Sequence, residues 1–174
     1  DYQKLVTQYP QSAEAEEALD NMKNIYVEVG RPNDYVDFVQ KAGKVISISE
    51  ADSLTYASAE LKYSNNDCTG AINAFANYLS KYPQGAYILE ANFYKSECYL
   101  KNKDWQHAIQ GYEAVVNLGS SKYAERAAYA VARIYYFELK DYAKSETYFA
   151  KLQELATTPE NQLEALRGLV RSFY

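Results

Sequence analysis

Apolar residues along most of this chain recur at spacings of three and four. Between Ile88 and Leu100 they fall at 88, 89, 91, 93, 94, 98, 99 and 100. Between Trp105 and Leu118 they fall at 105, 108, 109, 112, 115, 116 and 118. That rhythm predicts amphipathic helices. The Asp of Asn33-Asp34, Asn66-Asp67, Lys103-Asp104 and Lys140-Asp141 stands just before such a segment and suits an N-cap. Gly30, Gly43 and Gly119 fit helix ends, and Pro10 and Pro83 force the chain out of one helix toward the next. The expected helices span 2–9, 13–29, 34–42, 52–64, 68–82, 86–102, 105–118, 122–138, 142–156 and about 160–173. Only Gly43 to Ser53 lacks the period. Its Val45-Ile46-Ser47-Ile48-Ser49 alternates as a short extended piece would, but a packed loop is the expected form.

The pattern also repeats on a longer scale. Lys103-Asp104-Trp105 aligns with Lys140-Asp141-Tyr142 at an offset of 37, and Asn66-Asp67-Cys68 lies another 37 upstream. Asn33-Asp34-Tyr35 precedes that by 33. Phe75, Tyr112 and Phe149 share the 37-residue spacing, as do Ala71, Ala108 and Ser145, and Ala91, Ala128 and Ala165. Tyr9-Pro10-Gln11-Ser12-Ala13 returns as Tyr82-Pro83-Gln84-Gly85-Ala86. Such self-similarity is the mark of a repeat array. Each unit reads as helix, short turn, helix, longer turn. The recurrent small residues mark the closest approach of packed helices, which lie about 8–10 Å apart.

These residues carry a family resemblance. A small residue and a Tyr on the first helix, then Ala and an aromatic on the second, then Pro, is the tetratricopeptide-repeat pattern. The third unit has Ser96, Tyr99, Ala108 and Tyr112; the second has Ala59, Ala71, Phe75 and Pro83; the fourth has Tyr136, Ser145 and Phe149. The first departs from it, with Tyr26 in place but Phe38 where Ala is expected. The run from Phe75 to Gly85 further resembles repeats of bacterial cell-envelope proteins, of the outer-membrane assembly lipoprotein and Tol–Pal-associated type. The resemblance implies an all-α fold, an α-α superhelix (solenoid) of stacked antiparallel helix pairs. About four repeats are expected, at 13–42, 52–82, 86–118 and 122–156, with partial repeats at both ends. Residues 2–9 read as the second helix of a preceding repeat. The whole of 1–174 is then one array, expected to be a fragment of a longer one. Otherwise its last helix, with Leu163, Leu166, Leu169, Val170 and Phe173, is buried against a second copy in a homodimer. The resemblance also implies a periplasmic or outer-membrane-associated location.

Composition narrows the function. Lys plus Arg number 18 and Asp plus Glu 23, a net charge of −5, which does not suit phosphate recognition on nucleic acid. No run approaches the roughly 18 apolar residues a membrane span needs. Leu, Val, Ile and Phe are modest in number, but 19 Tyr and 23 Ala supply large and small partners for a dense core. No HExxH, GxGxxG, GxSxG or phosphate-loop motif occurs, so no cofactor, metal or catalytic residue is expected. The lone His107 reads as a surface helix residue, and Glu14, Glu16 and Glu17 as a solvated first turn. Cys68 and Cys98 form no metal-spaced cluster; a disulfide between them is an alternative to two buried thiols.

In the family, outward residues of first helices line a concave face and touch a partner. Carried over by position, that row holds Glu17, Asp20 and Asn24, then Tyr56, Glu60 and Tyr63, then Phe93, Tyr94 and Glu97, then Ile134 and Phe137, with Arg167 and Arg171 after them. Aromatic and acidic residues together suit an extended peptide carrying Lys or Arg. The resemblance thus implies a non-enzymatic scaffold for protein–protein interaction. The alternatives are a carbohydrate-binding role, since exposed rings stack on sugars, and a structural spacer in a larger envelope protein.

Overall fold

A computed structural model describes residues 1–172, and Phe173, expected on the last helix, lies outside them. Among the described residues, ten helices form and no strand does. They are α1 (Tyr2–Gln8), α2 (Ala13–Glu28), α3 (Pro32–Lys41), α4 (Ile48–Ser64), α5 (Cys68–Lys81), α6 (Ile88–Lys101), α7 (Trp105–Asn117), α8 (Lys122–Arg133), α9 (Tyr142–Leu155) and α10 (Pro159–Ser172). A π-helical turn, Ile134–Leu139, continues α8. The chain divides into two compact units, Asp1–Ile88 and Leu89–Tyr174. Within each, helices pack against their neighbours in sequence order.

Two cap chemistries alternate along the chain. Ser12, Ser47 and Ser121 open α2, α4 and α8, each Oγ accepting from the amide three residues on, at 3.0–3.1 Å. Asp67, Asp104 and Asp141 open α5, α7 and α9 in the same way, accepting from Gly70, His107 and Lys144 at 2.9, 3.3 and 3.1 Å. Each satisfies an amide that the helix itself leaves unpaired. The residue before each Asp is left-handed: Asn66, Lys103 and Lys140 have φ of 60°, 59° and 55°. In the first two turns the Asp amide then reaches back five residues, Asp67 to Lys62 O and Asp104 to Tyr99 O, both at 2.9 Å. This closes the preceding helix in a Schellman turn.

The first unit makes the same turn at a different place. Gly30 is left-handed at φ 78°, and the Arg31 amide reaches Tyr26 O at 2.8 Å. Gly30-Arg31 is therefore the equivalent of Asn66-Asp67, at an offset of 36, and the expected match to Asn33-Asp34 is corrected. Asp34 caps nothing; it sits in the first turn of α3 and pairs with Arg31. Pro32 explains the early start, since a first helical residue needs no amide. In that register the small-residue position held by Ala71, Ala108 and Ser145 falls on the buried Tyr35, not on Phe38.

The irregular segment is also shorter than expected. α4 begins at Ile48, not 52, because Ser47 caps it. Ser47 and Glu50 have the spacing of a capping box. The alternation around it carries no burial signal: Val45 is 95% and Ile48 82% exposed.

The repeated small residues do mark contacts. Ala71, Ala91, Ala108, Ala128, Ser145 and Ala165 are all fully buried. Ser145 Oγ donates to Ala132 O at 3.0 Å, bringing α9 onto the α8 backbone. A Cβ on Gly111 of α7 would fall 2.1 Å from Ser96 Oγ of α6, and one on Gly168 of α10 would fall 2.2 Å from the Phe149 ring of α9. Helix pairs this close exclude larger side chains.

The amide donors just before α6 are held by tertiary contacts inside the first unit. Asp52 Oδ2 accepts from the Ala86 amide at 2.8 Å, and the Tyr78 hydroxyl accepts from the Tyr87 amide at 2.9 Å. The Tyr87 ring stacks on Tyr56, with centroids 4.3 Å apart. At the other end of the chain α10 packs along α9, so the last helix has an internal partner. Thr157 Oγ1 and Asn161 Nδ2 both donate, at 2.6 Å, to the buried Glu125 of α8. Burial raises the Glu125 pKa, but these hydrogen bonds outweigh it and hold the carboxyl below its ordinary value. Leu163, Leu166 and Val170 face away from this packing and are about half exposed. Cys68 and Cys98 are not joined in a disulfide; the first is half-buried and the second fully buried.

Candidate binding groove

Helical spacing puts Tyr129, Arg133 and Phe137, four apart, on one face of α8 and its π turn. The Arg133 guanidinium carbon lies 5.4 Å from both ring centroids, so the cation is held between two aromatic faces. Arg133 Nη1 also donates to the Tyr129 hydroxyl at 3.3 Å. The π turn is where this ladder ends. In the other units the Asp amide reaches back five residues, but here Asp141 reaches back six, to Tyr135 O at 2.9 Å. The turn thus takes in one extra residue, a departure frequent at functional sites.

On one side of the ladder is an open groove of about 570 Å³. Leu100, Trp105, Ala130, Ile134 and Phe137 form its apolar lining; Lys101, Lys103, Arg133 and Glu138 supply its charges. On the other side is a recess of about 150 Å³, where Glu164, Gly168 and Arg171 of α10 face the same three ladder residues. Phe137 is 45% exposed. A half-exposed ring beside a stacked guanidinium and an apolar floor is the arrangement of a recognition surface.

The second unit carries eleven Lys and Arg and eleven Asp and Glu; the first carries seven against twelve, so the chain's whole net charge lies in residues 1–88. Most carboxylates of the second unit are engaged elsewhere. Glu125 is buried beneath Thr157 and Asn161, Glu113 accepts from Tyr148, Glu97 accepts from Tyr112 at 2.8 Å, and Glu154 pairs with Lys151. Asp104 and Asp141 are spent on caps. The groove lining itself carries three cations and one carboxylate.

The expected row of contact residues divides into three groups. Tyr56, Phe93 and Ile134 are buried, with exposures of 5%, 0% and 3%, and are corrected from outward-facing to core positions. The reason for Phe93 is visible: Arg126 lies over its ring at 4.5 Å, and Tyr112 and Tyr123 close its edges. Ile134 still forms part of the groove floor. Glu60, Tyr63, Tyr94 and Glu97 are half-buried. Glu60 accepts from Tyr56 at 2.9 Å, Tyr94 and Tyr123 share a hydroxyl contact at 3.3 Å, and Glu97 faces Arg126 as well as Tyr112. Glu17, Asp20, Asn24 and Phe137 are exposed. Asn24 and Glu60 flank a separate hollow of about 420 Å³ between α2 and α4, and Asp20 pairs with Lys23.

Composition and family position missed Trp105, Tyr129, Lys103 and Arg133. The signal was present as aromatic, cation and aromatic at four-residue steps on a helix already expected to carry Phe137 outward. His107 is exposed, its Nδ1 2.8 Å from Asp104 Oδ2 and its ring stacked on Tyr99. No cluster of potential metal ligands occurs among the described residues, and no described helix is long and apolar enough to cross a membrane. No protein-family model matches the chain, and no curated protein matches it.

Proposed function

We propose that this protein is a non-enzymatic interaction module of the tetratricopeptide-repeat type, an α-α superhelix that holds a segment of a partner protein against its first helices. The observation that carries this reading is the Tyr129–Arg133–Phe137 ladder standing over an open, apolar-floored groove of about 570 Å³. Its size suits a few side chains of a peptide. The recurrent 37-residue turns, left-handed residue then Asp cap, support the repeat reading. A bacterial cell-envelope role rests on the resemblance of Phe75 to Gly85 alone. The charged groups at the groove are cations and one carboxylate, a set suited to binding and orienting a chain. A glycan site would want side-chain amides converging on the rings; the described lining supplies none, which favours a peptide over a sugar.

The test is peptide selection from a displayed random library, run on the full chain and on Phe137→Asp. Enrichment of a sequence motif by the parent and its loss in the variant, with far-UV circular dichroism unchanged, supports the reading. Failure to enrich any motif, or equal enrichment by both proteins, places binding elsewhere and refutes it.

A further inference from the structure

We infer that the groove of the second unit takes an acidic peptide segment, glutamate or aspartate side chains flanking an apolar anchor, rather than the Lys- or Arg-bearing peptide that the carried-over row of contact residues suggests. This rests on the groove being the binding surface. Charge at the groove points to an acidic ligand. The chain is acidic overall and the second unit is neutral, yet Lys101, Lys103 and Arg133 meet one carboxylate, Glu138, at the groove. A basic ligand would bring like charges together there, while an acidic one gives complementary potentials.

Preorganisation of Arg133 points the same way. Arg133 has no carboxylate within ion-pairing distance among the described residues. Its guanidinium is nevertheless held, ring on either side and one nitrogen on the Tyr129 hydroxyl. An arginine normally loses much rotamer freedom when it binds. Here the two rings and the Tyr129 hydroxyl already restrict the exposed side chain in the free protein. The remaining N–H edge is a fork matched to a carboxylate. Lys103 is positioned for a different reason: its left-handed backbone is dictated by the turn into α7, which fixes the point from which its side chain leaves. In the same groove lining, the Trp105 and Phe137 rings offer an apolar seat for the anchor.

Trp105 is the chain's only tryptophan and lines the groove, so its fluorescence reports occupancy. The experiment titrates the full chain with four short peptides that share a central phenylalanine. Three are capped at both ends, with flanks of glutamate, lysine or glutamine. The fourth has glutamine flanks and a free C-terminal carboxylate. The expected result is that the glutamate peptide perturbs Trp105 and binds about tenfold tighter than the glutamine one, with affinity falling as salt rises. Arg133→Gln should erase most of that difference while leaving the far-UV circular dichroism of the folded chain unchanged. Tighter binding of the lysine peptide, or an unaltered preference in Arg133→Gln, overturns the acidic assignment but leaves the groove as a binding surface. Preference for the free-carboxylate peptide over the glutamate one also overturns it, by making a chain terminus the ligand. A Trp105 signal unmoved by all four removes the groove itself, and with it the function proposed above.

Discussion

Gly168 offers the sharpest check on the packing. It lies in the interior of α10, where Gly→Ala gains about 0.8–1 kcal/mol of helix propensity. The added methyl would sit 2.2 Å from Phe149 Cδ1, 2.3 Å from Cγ and 2.4 Å from Cε1. Carbon atoms pack comfortably at about 3.5–4.0 Å, so the ring or the helix must yield by more than 1 Å. Phe149 is 5% exposed and belongs to the core of the second unit, which leaves it little room to turn. Overpacking of this kind costs roughly 1–3 kcal/mol, and it should outweigh propensity, giving a net loss of up to about 2 kcal/mol. The assay is urea unfolding followed by far-UV circular dichroism, where a lower midpoint at constant slope reads as lost stability. Phe149→Leu in the same chain should relieve the clash, so the double variant should be more stable than the two single losses predict, with a coupling of roughly 0.5–3 kcal/mol. If Gly168→Ala alone raises the midpoint, the methyl has entered open space, and the close approach of α9 and α10 is wrong.

Three further outcomes follow from the caps, the turns and the tyrosines. Asp67→Ala should cost about 1 kcal/mol by orphaning the Gly70 amide, whereas Asp34→Ala should stay within about 0.5 kcal/mol, as for an ordinary surface change; equal losses in paired urea melts would restore Asp34 as a cap. Lys140→Gly should stabilise by about 0.5–1 kcal/mol, because relief of a left-handed side chain exceeds the entropy that glycine adds to the unfolded chain; a lower urea midpoint would contradict the turn. Burial, helped by Glu50 and Asp20, pushes the Tyr35 pKa up to about 12, and burial followed by hydrogen bonding to Asp52 and Glu113 raises Tyr78 and Tyr148 strongly. The folded state therefore holds these protons more tightly than the unfolded one. Their stabilising contribution is complete below about pH 10 and is lost as pH rises through about 12. A near-ultraviolet titration should show a late group of tyrosines ionising as helicity falls, and a single step near pH 10 with helicity intact would rule this out.

Helix content and turn positions were legible from local signals. A cap, a left-handed residue and a three-to-four apolar rhythm each act within a few residues, so Asp67, Asp104 and Asp141 could be read directly. Misreading began where two local signals competed. Asn33-Asp34 looks like the later turns, but Gly30 reverses the chain first, since glycine reaches a left-handed φ without cost and Pro32 can start the helix behind it. Val45 to Ser49 reads as irregular because its alternation masks Ser47, which caps α4. Which way a side chain faces is a different kind of fact, because it depends on what the neighbouring helix brings. Phe93 and Tyr56 hold outward positions by family register, yet Arg126, Tyr123 and Tyr87 come over from elsewhere and cover them. Tertiary structure likewise decided the charge of the groove. The second unit has as many carboxylates as cations, and only packing places three cations and one carboxylate along the groove lining. Composition sums charges over the chain, whereas a ligand meets only those that folding leaves at the surface.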